Sequence, residues 1–243
     1  MVLCSPPLDG FNRHVSEALD LKSDLIIDNA SNIKVGIENV DVFLPNKNKD
    51  VLIKDCTIDL MKYQSLLIMG ASGVGKSTLL RTLAGLWPYA KGNVYLPKEE
   101  EFLFLPQRPY LPLGSLRQAI SYPVVEEVIS EKYNDEEIKE ILIACKLENL
   151  ADKLDIVDDW SRILSLGEQQ RIAFARILLY RPEFVFLDEA TSALDEDLEG
   201  NLYDMLKFIA KYKIISIAHR SSLIAKHQAI LRLKEKGCWE IHE

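Results

Sequence analysis

The sequence predicts an α/β fold, and three observations carry the prediction. Short apolar runs, among them Ser65-Leu66-Leu67-Ile68-Met69 and Phe184-Val185-Phe186-Leu187, read as strands buried on both faces. Segments with helical spacing separate such runs, which implies a parallel sheet covered by helices on both sides. Two alternating strands near the start have no helix between them, which implies a small N-terminal antiparallel β subdomain. From 107 to about 180 strand signals vanish, and an α-helical subdomain is expected there.

Taken in order, residues 1–32 are expected to be a leader. Pro6-Pro7 and Asp9-Gly10 break structure, 11–21 can hold one short helix, and no signal-peptide core is present. Regular structure is expected to begin near Ile33. Ile33, Val35, Ile37, Val40 and Val42 mark a half-buried strand, and a turn over 45–50 leads to a second strand over 51–60. After the strand at 65–69 come a glycine-rich turn and a helix over 75–86, stopped by Pro88. Residues 101–105 form the next buried strand, closed by Pro106. Within the helical stretch, Asn134 and Glu137 match a capping box, with Ile138, Ile141, Leu142 and Cys145 at helical spacing behind them. A helix over 167–180, the strand at 184–187, a helix over 196–211 and a strand over 214–218 complete the pattern.

Composition narrows the function. The chain has 243 residues, a net charge of -8 and a mean hydropathy of -0.02. No apolar run approaches the ~20 residues of a membrane helix. An acidic balance argues against extended nucleic-acid binding, which needs clustered Lys and Arg. The four cysteines lie far apart with no CxxC, so neither a zinc site nor a disulfide framework is indicated.

Gly70-Ala71-Ser72-Gly73-Val74-Gly75-Lys76-Ser77-Thr78 fits GxxxxGK[ST], between a strand and a helix. Glycines let the backbone wrap phosphates, successive N–H groups point at the anion, and the helix adds its positive end. Lys76 is expected to reach the β- and γ-phosphates and Ser77 to ligate Mg²⁺. A chance match arises in roughly one chain in a hundred of this length. The motif implies a P-loop NTPase (RecA-like) core. Asp188 and Glu189 leave a buried strand together, as expected of a Mg²⁺ ligand and a general base for the attacking water. Gln107 and His219 also follow apolar strands. They are candidates for contacts to Mg²⁺ or water and to the γ-phosphate, although a lone His is usually a surface or satisfied core residue and each signal is weak by itself.

In this order the segments resemble the nucleotide-binding domain of an ABC ATPase. Leu164-Ser165-Leu166-Gly167-Glu168-Gln169-Gln170-Arg171 is similar to the family signature, Ser192-Ala193-Leu194-Asp195 to its D-loop, Gln107 to its Q-loop and His219 to its switch histidine. The resemblance runs over 33–243. The run from Phe104 to Leu116, Tyr122-Pro123 and Trp160 are similar to subfamily D half-transporters, of the peroxisomal fatty-acyl-CoA type, and their bacterial relatives. The resemblance implies catalytic roles for Lys76, Gln107, Glu189 and His219, and Mg²⁺ ligation by Ser77, Gln107 and Asp188. It implies that Ser165, Gly167 and Glu168 close on ATP held by a second copy, as a homodimer or heterodimer of ATPase domains. It further implies coupling to a transporter membrane domain, for which residues 1–32 would be the linker. The protein would then sit on the cytoplasmic face of a bacterial inner membrane or of an organelle such as a peroxisome or plastid. Leu166 and Glu168 depart from the commonest signature, and Leu44 stands where the family carries the aromatic ring that stacks on adenine. The alternatives are a non-transport ABC ATPase and a regulatory module that only binds nucleotide.

Overall fold

The computed structural model describes residues 25–28, 34–46, 50–98, 101–124, 126–208 and 212–243. The leading helix expected over 11–21 lies outside them. The apolar runs are strands of one six-stranded sheet: β4 (Ser65–Met69), β6 (Phe102–Leu105), β9 (Phe184–Asp188), β10 (Lys213–Ile217), β11 (Ala229–Leu233) and β12 (Trp239–His242). Their order is β12-β11-β4-β10-β9-β6. Every neighbouring pair is parallel except the edge hairpin of β11 and β12.

Alternation along the central strands divides the apolar residues between two cores. Phe184 and Phe186 of β9, Leu66 and Ile68 of β4, and Ile215 and Ile217 of β10 face one side. There they meet Leu79, Leu80 and Leu83 of the helix α1 (Lys76–Leu83). Val185, Leu187, Leu67 and Ile214 face the other, against a long helix spanning Leu166–Tyr180. A strand buried on both faces needs apolar residues at every position, which is why these runs do not alternate in sequence.

The smaller sheet has the order β1-β5-β2-β3, from β1 (Leu25–Asp28), β2 (Gly36–Phe43), β3 (Val51–Asp59) and β5 (Ala90–Tyr95). Strands β2 and β3 are the expected antiparallel pair. Two features correct the expectation. Regular structure begins before Ile33, because β1 pairs in parallel with β5. Strand β5 follows α1, and Lys91, Gly92 and Asn93 give it little intrinsic strand preference. Pairing with β2 supplies it, and at Gly92 a Cβ would lie 2.4 Å from the Asn39 carbonyl oxygen, so only glycine fits.

Between β6 and β9 the chain is helical, apart from a two-stranded ribbon of β7 (Gly114–Ser115) and β8 (Val157–Asp158). The helices are α2 (Leu116–Ser121), α3 (Glu126–Lys132), α4 (Asp135–Ala144), α5 (Trp160–Ile163) and α6 (Leu166–Tyr180), and α7 (Glu196–Phe208) follows β9. Asn134 and Glu137 form the expected reciprocal cap of α4, and Ser115 with Gln118 caps α2 in the same way. Arg117 of α2 is buried and binds Asp135 at 2.8 Å and Asp155 at 3.0 Å, tying three segments of this region together. No helix among the described residues is long and apolar enough to cross a membrane.

Candidate functional site

Four parallel strands, adjacent in the order β4-β10-β9-β6, end on one edge of the sheet. In register, Ile68 lies beside Ile217, Ile217 beside Asp188, and Leu105 beside Leu187. The residue groups that leave these strands therefore converge. They are the loop from Gly70 to Lys76, Gln107, Asp188 with Glu189, and His219. Parallel α/β sheets bind ligands at this edge, because their helix N-termini and loops gather there.

The loop after β4 turns tightly into α1. Gly70 has φ +153°, and a Cβ there would lie 2.6 Å from the Leu233 carbonyl oxygen, so a larger residue would push the loop off β11. Lys76 is buried, and its Nζ donates to the carbonyl oxygens of Gly70 (3.1 Å) and Ala71 (3.0 Å). The ammonium thus sits curled into the loop, with one of its three protons uncommitted to these contacts. Ser77 Oγ donates to Asp188 Oδ1 at 2.7 Å, and Arg81 Nη2 reaches Asp188 Oδ2 at 3.3 Å. Arg81 was not foreseen, although it lies one helical turn beyond Ser77 on the same face. Ser77 and the buried Asp188 form an adjacent pair of hard oxygen donors. That set suits Mg²⁺, which is usually held by one or two protein oxygens together with phosphates and water.

Glu189 has φ +52°, in the left-handed region that a non-glycine residue rarely enters, and its N–H donates to the Ile217 carbonyl. Such backbone strain persists where surrounding structure over-determines it, and it gathers at functional sites. Here it turns the carboxylate out of the strand line. Oε1 lies 2.7 Å from His219 Nε2, and Oε2 accepts from Gln107 Nε2 at 3.1 Å. Three residues picked from separate strand ends thus form one chain of contacts around a single carboxylate.

The helix end at Ser165 is separate from this cluster. Ser165 is exposed and caps α6, its Oγ accepting from the Glu168 N–H, while the Glu168 carboxylate accepts from Ser165 N (3.0 Å) and Ser165 Oγ (2.7 Å). The Ser165 bond holds the Glu168 carboxyl below its ordinary range against a smaller opposing effect of burial. This capping box was legible in the serine-to-glutamate spacing and was missed. Gly167 lies against the segment after β9, since a Cβ on it would be 3.2 Å from the Ala193 carbonyl oxygen. Leu44 offers a half-exposed aliphatic side chain at the end of β2 rather than a ring.

Residues 53–192 match a family model described as "ABC transporter". The chain is 48% identical over 191 residues to an uncharacterized ABC transporter ATP-binding protein of Haemophilus influenzae, covering 78% of this chain and 31% of that protein. It is 36% identical over 223 residues to the Drosophila melanogaster "ATP-binding cassette sub-family D member 1", covering 89% and 30%. It is 38% identical over 214 residues to the human "Lysosomal cobalamin transporter ABCD4", covering 84% and 35%. The chain thus spans about a third of the length of these curated relatives.

Proposed function

The chain belongs to the ABC transporter family, as one of its ATP-binding domains, and from that premise we propose that it binds ATP with Mg²⁺ and hydrolyses it to drive a membrane domain. The observation that carries the hydrolytic role is the Glu189 carboxylate, held by Gln107 and His219 beside the loop of Lys76.

In this reading the loop from Gly70 to Thr78 wraps the phosphates. Lys76 exchanges its two carbonyl partners for phosphate oxygens, a stronger charge-assisted contact. Ser77 and Asp188 would hold Mg²⁺, joined in this proposal by Gln107, whose side chain here bonds the neighbouring Glu189; the ion when bound would offset phosphate charge. Glu189 takes a proton from the attacking water, acting as general base. Gln107 and His219 aim the carboxylate through its two oxygens, and positioning of this kind accounts for much of phosphoryl-transfer catalysis.

Partner surfaces support the remaining assignments. Ser165 and Asp195 are exposed, free to meet a second ATPase domain whose ATP would be closed between the two copies. Around the ribbon of β7 and β8, Tyr110, Leu113, Ile156 and Val157 leave large apolar side chains exposed, Leu113 by 76% and Val157 by 73%. Apolar exposure of this kind suits a docking face for a membrane domain. The protein would then be membrane-associated through that domain, in a bacterial inner membrane or an organelle membrane.

The test is phosphate release from ATP and Mg²⁺ by the purified chain and by Lys76→Ala. Turnover in the first and none in the second is expected. Equal rates, or no nucleotide binding by the unmodified chain, would overturn the proposal.

A further inference from the structure

Gln170, on α6, is fully buried, and its amide makes contacts that reach well away from its own helix. Nε2 donates to the backbone carbonyl of Gln107 at 2.9 Å and to Ser192 Oγ at 3.2 Å. Oε1 accepts from the Ala193 N–H at 3.0 Å. One side chain therefore joins three segments. The first carries Gln107, whose own side chain holds Glu189. The second is the turn of Ser192 and Ala193, which follows Glu189. The third is α6, whose N-terminus is the exposed Ser165.

The turn is held from its other side as well. Arg220, next to His219, donates to the Leu194 carbonyl at 2.6 Å and pairs with the buried Glu199 at 3.0 Å. Thr191 donates to the same Glu199 at 2.5 Å. The turn is thus fixed between Gln170 and Arg220, while Gly167 packs on its Ala193 carbonyl. A buried amide is costly unless satisfied, and here donor and acceptor ends are both used.

We infer that Gln170 is a positioning residue for the reaction, one that locks Gln107, the Ser192–Ala193 turn and the start of α6 into a single unit. The inference rests on the assignment of Gln107 and Glu189 to the ATP site. Gln170 is fully buried and its amide is spent on these three protein contacts, so it acts through them. It sets the backbone from which Gln107 reaches Glu189, and it ties that backbone to the surface at Ser165. Loss of the amide would free the two segments from each other and leave the loop of Lys76 untouched. Binding and turnover should therefore separate.

The test compares Gln170→Met, similar in length and without hydrogen bonds, with Ser192→Ala, an exposed position whose change removes one of the three contacts. Steady-state phosphate release at saturating ATP and Mg²⁺ gives kcat, titration with a fluorescent ATP analogue gives Kd, and thermal melts verify folding. The inference expects kcat of Gln170→Met to fall at least tenfold, a barrier change of about 1.4 kcal/mol, with Kd within twofold of the unmodified chain. Ser192→Ala should lose two- to fivefold in kcat with the same Kd. Parallel loss of kcat and binding would mark a merely structural role and overturn the inference, as would unchanged kcat in both variants. Should Gln170→Met fail to fold, an unchanged kcat in Ser192→Ala overturns it alone. An unmodified chain that binds no ATP would instead overturn the assignment beneath it.

Discussion

Replacing Glu189 with glutamine separates the chemistry of its carboxylate from its shape. Both side chains have the same length, and both meet the same demand of a left-handed φ of +52°. The carboxylate accepts one contact from His219 at 2.7 Å and one from Gln107 at 3.1 Å. An amide keeps an acceptor oxygen for His219, and a flipped Gln107 can offer its own oxygen to the new N–H. At most one of the two carboxylate contacts is lost and the other becomes a neutral hydrogen bond, a net cost of about 1 kcal/mol or a little more. Removing a general base costs roughly 10²- to 10⁴-fold in rate, or about 2.7–5.5 kcal/mol. The base term exceeds the structural term, so rate decides between them. Phosphate release under saturating ATP and Mg²⁺ should fall at least 100-fold, while ATP binding by titration stays within a few-fold. With turnover arrested, size-exclusion chromatography in ATP should detect an accumulated dimer. A fall of less than about fivefold would match the loss of one hydrogen bond and refute the assignment of Glu189 as base.

Two histidines, one at the site and one in the core, give further expectations. His219→Ala should lower kcat by roughly 10-fold or more while leaving ATP affinity near its original value, since it removes one of the two groups aiming Glu189; normal turnover would demote the residue. His227 pairs with Ser216 and with the Leu223 carbonyl, and burial pushes its imidazole down from 6.5 to about 4. Between these values the unfolded chain binds a proton that the folded chain refuses, so stability falls as pH drops from 6.5 towards 4. Urea denaturation across that window should lose up to about 3 kcal/mol that His227→Gln does not lose; identical slopes would refute the cause.

Legibility followed the range of the interactions. The loop from Gly70 to Thr78 could be read because its chemistry is contiguous: glycines, lysine and serine act on one anion through neighbouring backbone. Gln107, Glu189 and His219 could be read singly, each as a polar residue just past an apolar run. Their union could not, because it depends on β10 and β9 lying next to each other with β6 beyond. Strand β5 escaped notice because Lys91, Gly92 and Asn93 become strand only by pairing with β2. Gln170 escaped because a glutamine in a polar stretch reads as solvated, whereas packing leaves it fully buried.

Local chemistry and periodicity alone determined the α/β class, the phosphate loop and the candidate carboxylates, since each is encoded within a few consecutive residues. The tertiary structure decided which of those residues meet, that Arg81 shares Asp188 with Ser77, and that one buried amide joins a helix to two loops. Strand order and burial are properties of the whole chain's packing, and no short window of sequence contains them.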